Sequence, residues 1–160
     1  GDHAFSVAQH SVVVEEIAAY LRPGLAPRWR LAALLHDAAE YVIGDMISPF
    51  KTALGVDYRN FEDRLEGVIH IRFGLPVATP GPIKALIKAA DRASAFLEAT
   101  QLAGFDGAEA LTLFGAAPDL CRPAMTPLSP GEAAHRYLQR FHVLSEAAGY
   151  APAPSAFDSE

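Results

Sequence analysis

The sequence predicts an all-α fold, a single-domain helical bundle, on three observations. Apolar residues recur at helical spacing in five stretches, no stretch alternates with the period of a strand, and Pro or Gly interrupts the chain between stretches. With 160 residues, 51% of them apolar, the chain can bury a substantial core and is not disordered throughout. The domain is expected to span residues 1–150, with a small, Pro-rich, frayed tail over 151–160.

The elements follow in order. Ser6 is placed to cap a first helix that runs to about Leu21, with His10, Val13, Val14, Ile17 and Leu21 on one face. "RPGLAP" breaks it. Pro27 suits a first helical position, and Leu31, Leu34, Leu35, Ala38 and Val42 mark the stripe of a second helix ended by Gly44. A turn-rich connector precedes a third helix with Phe61, Leu65, Val68, Ile69 and Phe73 on its inner face. "GLPVATPGP" stops that helix, because Pro removes a donor and clashes with the preceding turn. From Pro82, residues Ile83, Leu86, Ile87, Ala90, Ser94 and Leu97 form a fourth, strongly periodic helix. Gly104 to Pro127 reads as a loop with one short helix. Ser129, Pro130 and Glu132 then make a capping-box start for a last helix with Ala134, Tyr137, Leu138, Phe141 and Leu144 inward.

Charge narrows the function. Thirteen Lys and Arg against nineteen Asp and Glu give a net charge of −6 with no basic run, so a nucleic-acid polymer is not the expected partner. A small phosphorylated substrate remains compatible, since a metal can supply the positive charge. Cys121 is the only cysteine and no signal-peptide pattern is present, which is the expectation for a reduced, cytoplasmic protein. The longest apolar runs, such as "IAAYL" and "LAALL", are too short for a membrane span. Gly1 in place of Met suggests a tag scar or a missing native beginning. A homodimer is open, but no stripe demands one.

"LLHDAAEYVIGD" sets His36, Asp37, Glu40 and Asp45 into an otherwise apolar segment. Burying such groups is costly unless they are paired or coordinated. His10 shares the inner face of the first helix and Asp91 that of the fourth, so three helices aim metal-ligating side chains inward. Two imidazoles and two carboxylates suit one divalent transition metal (Mn, Co, Fe, Ni or Zn) better than Mg. Adjacent residues on a helix lie about 100° apart, so His36 and Asp37 can share an ion only across a helix edge or through a backbone distortion. Glu40 and Asp45 can stand beside the ion to orient a water or exchange protons with it. Lys51 and Arg92 are candidate phosphate contacts, with ordinary surface charge the competing reading. Arg28, Trp29 and Arg30 read as packing and solvation, and His70, His135 and His142 as structural.

"SVAQHS", "LLHDAAEYVIGD", "SPFK" and "AADRA" resemble the HD-domain phosphohydrolase superfamily: a first His, a His-Asp doublet and a later Asp, in that order. The pattern His-Asp-x-x-Glu with an Asp five residues further is closest to the bacterial 5′-deoxyribonucleotidase branch. The resemblance spans roughly His10 to Leu97 and implies a helical bundle of the HD type. It implies His10, His36, Asp37 and Asp91 as metal ligands and Glu40 and Asp45 as catalytic carboxylates. It also implies a phosphomonoesterase acting on a nucleotide or another small phosphorylated metabolite.

Two departures matter. The Arg-Trp pair that helps hold the nucleotide in that branch has no counterpart among the nine residues before His10. Tyr41 stands where the guanosine-tetraphosphate hydrolases usually carry an acidic residue. The alternatives are a phosphodiesterase or pyrophosphohydrolase on the same site, or a non-catalytic metal-binding scaffold that senses a ligand.

Overall fold

Polar start signals in the sequence become caps in the structure, a computed structural model that describes residues 3–43, 56–115 and 124–150. Ser6 Oγ accepts from the Gln9 amide at 3.3 Å and opens α1, Val7–Leu21. Gly24, at φ +78°, supplies the left-handed residue that turns the chain toward α2, Pro27–Leu34. Next come α3, Ala38–Ile43, α4, Val56–Arg72, and α5, Gly81–Gln101. A short α6, Gly107–Phe114, starts from a capping box in which Asp106 and Glu109 satisfy each other's backbone amides. The expected box of Ser129 and Glu132 opens α7, Pro130–Ala147. Among the described residues the fold is all-helical, as predicted, and no helix is long and apolar enough to cross a membrane.

The central element is α1, which packs against α5, α2 and α7. One face joins a cluster of Val14, Ile17, Ala18, Ala33, Ala90, Ala93 and Leu97. The other joins Leu31, Leu34, Leu35, Leu75, Phe141 and Leu144 through Val12. Trp29 packs against both clusters, in line with its structural reading, with the Arg28 guanidinium 4.8 Å above its ring. Burial on both faces also explains Glu15, a carboxylate with no exposed surface in the middle of α1. Arg30 Nε donates to Glu15 Oε1 at 2.5 Å, and Arg140 Nη1 donates to Oε2 at 2.9 Å. Burial pushes the Glu15 carboxyl above its ordinary range, and the two guanidiniums act against that rise.

Three expectations are corrected. The predicted second helix is two, α2 and α3, separated by a turn over residues 35–37. On α4, Phe61 and Val68 are exposed rather than inward, and Gly67 and His70 are buried instead. The returning segment after α4 sets that face. His70 bonds the Pro76 carbonyl at 3.0 Å, and Val77 lies so close to Gly67 that a Cβ there would meet its Cγ1 at 3.2 Å. On α7, Ala133, Phe141 and Leu144 are buried whereas Ala134 and Leu138 face solvent. Arg140, bridging Glu15 and Glu16, anchors α7 in that rotation.

Candidate metal centre

The turn between α2 and α3 resolves the placement of His36 and Asp37. After Leu35, at φ −94° and ψ 5°, the α-helical bonding tightens: the His36 amide reaches the Ala33 carbonyl at 3.4 Å and the Ala38 amide the Leu35 carbonyl at 2.9 Å. Neighbouring side chains that an unbroken helix would send apart now converge. His36 Nε2 lies 3.2 Å from Asp37 Oδ1.

From α1, His10 Nε2 comes within 3.6 Å of Asp37 Oδ2. From α5, Asp91 Oδ1 comes within 3.2 Å of His10 Nε2 and 3.8 Å of His36 Nε2. His10, His36 and Asp37 each offer a ligand atom, all within 4.8 Å of one another. The structure thus brings together the four residues expected to meet.

Both imidazoles are held from behind. His10 Nδ1 lies 2.6 Å from Glu98 Oε1, and His36 Nδ1 lies 2.9 Å from the Ala33 carbonyl. A carbonyl only accepts, so His36 Nδ1 carries the hydrogen, and Nε2 is the ring atom left to take a metal ion. Nε2 faces carboxylate oxygens, and it is buried with no hydrogen-bond partner among the described residues. Such an arrangement is repulsive unless positive charge lies between. A divalent ion of mixed nitrogen–oxygen preference fits it.

The electrostatics agree. Burial disfavours a charge on His10, but Asp91 and Glu98 outweigh it and raise its pKa to about 10. The hydrogen bond from His10 is the largest influence holding the Asp91 carboxyl well below the ordinary carboxylate range, against the cost of burial. Tyr137 on α7 is pushed up to about 12 by burial and, to a smaller degree, by the charge of Asp37.

Glu40 sits half-buried in the first turn of α3, directly after the His36–Asp37 turn. Arg92 is exposed on α5, one residue from Asp91. Gly44, Asp45, Lys51, Cys121 and the 151–160 tail lie outside the described residues, as does the Val42 side chain. Two residues of the site were missed by sequence reasoning. Glu98 carries no motif and Ser94 looks like core in the sequence; the signal that joins them is that Asp91, Ser94 and Glu98 share one helical face at spacings of three and four.

The family model described as HD domain matches residues 7–95, which contain His10, His36, Asp37 and Asp91. The chain belongs to the HD-domain family. HD domains are generally metal-dependent hydrolases, and the His/Asp cluster can hold a divalent metal. An uncharacterized protein of Rhodobacter capsulatus is 54% identical over 146 residues, covering 90% of this chain and 74% of that protein. The uncharacterized protein YfdR of Escherichia coli is 31% identical over 144 residues, with the same two coverages.

Proposed function

We propose that this HD domain is a metal-dependent phosphomonoesterase acting on a 5′-nucleotide or another small phosphorylated metabolite, of the 5′-deoxyribonucleotidase-like kind. The observation that carries the reading is the buried Nε2 of His36, which faces carboxylate oxygens and has no hydrogen-bond partner among the described residues. Under this proposal His10, His36, Asp37 and Asp91 hold one divalent ion of Mn, Co, Fe, Ni or Zn type. When bound, the ion lowers the pKa of a water and polarises a phosphoryl oxygen.

The chain's own residues do the rest. Glu40 follows the ligand-bearing turn and takes or returns the proton of the attacking water, with Asp45 as its companion. Arg92, exposed beside Asp91, and Lys51 meet the substrate phosphate and offset its charge. The acidic net charge leaves a phosphate with few other attractive surfaces, which favours a small ester over a polymer.

The test is a phosphate-release screen on protein stripped of metal and reloaded with one divalent ion at a time. Nucleoside monophosphates and sugar phosphates are expected to yield phosphate, and polyphosphate substrates little or no pyrophosphate or tripolyphosphate. Glu40→Ala should lower turnover by roughly 10²- to 10⁴-fold while metal content persists. Metal-loaded protein that cleaves no ester across the panel, or an active Glu40→Ala variant, overturns the proposal.

A further inference from the structure

We propose that Glu98 is a positioning residue for the metal centre, acting through His10, with Ser94 holding Glu98 in place. The inference rests on the reading of His10 as a metal ligand. Glu98 Oε1 lies 2.6 Å from His10 Nδ1, so the ring donates its Nδ1–H to the carboxylate and turns Nε2 toward Asp37 and Asp91. Ser94 has no exposed surface and donates to the same Glu98 oxygen at 2.8 Å, one helical turn away on α5. Its Oγ also stands 3.4 Å from His10 Nδ1. The ring of the α1 ligand is therefore fixed from α5, the helix that also presents Asp91.

The two imidazoles are not equivalent in this arrangement. His36 donates to the neutral Ala33 carbonyl, whereas His10 donates to an anion. An anionic partner leaves more electron density on the opposite nitrogen and makes the ring a stronger donor to a cation. Glu98 cannot itself ligate an ion held at Nε2, because it lies on the other side of the His10 ring. Its contribution is orientation and donor strength.

The experiment titrates metal-free protein with Co²⁺ and follows the visible absorption of the bound ion, together with far-ultraviolet circular dichroism. Glu98→Gln keeps the side-chain shape and replaces the anionic acceptor with a neutral one. It is expected to raise the Co²⁺ dissociation constant roughly 10- to 100-fold and to shift the absorption bands, with helicity unchanged. Ser94→Ala should weaken binding in the same direction by a smaller factor. A Glu98→Gln protein with the wild-type constant and spectrum overturns the inference. Should that variant not fold, Ser94→Ala decides instead, and an unchanged constant there overturns it. Wild-type protein that takes up no Co²⁺ defeats the reading of the metal site itself, whereas tight wild-type binding that ignores Glu98 defeats only the inference.

Discussion

pH and metal binding meet at His10. In the metal-free protein, burial opposes charge on its ring, but the Asp91 and Glu98 carboxylates prevail and the pKa stands at about 10. An ion held at Nε2 needs the lone pair there, so below that pH it must displace a proton. At about pH 7.5 the pKa stands about 2.5 units higher, and at about 1.4 kcal/mol per unit the displacement costs roughly 3 to 4 kcal/mol. Apparent affinity for Mn²⁺ should therefore rise about tenfold per pH unit from about pH 7 to 9 and flatten near pH 10.

Stability moves the other way. The folded pKa lies above the ordinary 6.5, so protonated His10 stabilises the metal-free fold fully below pH 6.5 and ceases to do so as pH rises through about 10. Metal-free protein should melt progressively lower over that window. Added ion should stabilise it most at the alkaline end. Isothermal titration in buffers of different ionisation enthalpy reads the proton directly, with about one released per ion bound near neutral pH. No proton release, with affinity flat from about pH 7 to 9, would refute the argument.

Three further outcomes follow from the packing. Glu15→Ala strips Arg30 and Arg140 of their shared partner; because both arginines reach solvent, the loss sits at the low end for buried pairs, about 3 kcal/mol in urea unfolding. His70→Leu leaves the Pro76 carbonyl without its donor and should cost about 1–3 kcal/mol, measured the same way, without altering metal uptake. Ser129→Ala removes the side-chain half of the α7 capping box and should cost about 1 kcal/mol by thermal unfolding, with metal uptake unchanged.

The helical architecture was legible because Ser6, Pro27 and the Ser129–Glu132 pair are start signals whose physics is local. The four converging residues were legible because inward-facing ionisable groups need a reason to be there. The break after Leu34 was only half legible: a shared ion at His36 and Asp37 called for a helix edge or a backbone distortion, but "RLAALLHDAAEYV" carries no Pro or Gly to place it. The faces of α4 and α7 were misread where a nonlocal contact overrode the apolar stripe: Pro76 and Val77 folding back on α4, Arg140 reaching Glu15 from α7. Glu98 escaped notice because a residue that serves a ligand has no motif of its own.

Trp29, the chain's one tryptophan, touches both apolar clusters and sits on the helix that leads into the His36–Asp37 turn. Nature has left an optical gauge at the seam. Loosening of either half of the interior should alter the indole's surroundings, so intrinsic fluorescence and circular dichroism ought to trace one common transition. The two halves would then melt as a single cooperative unit, with neither surviving the other.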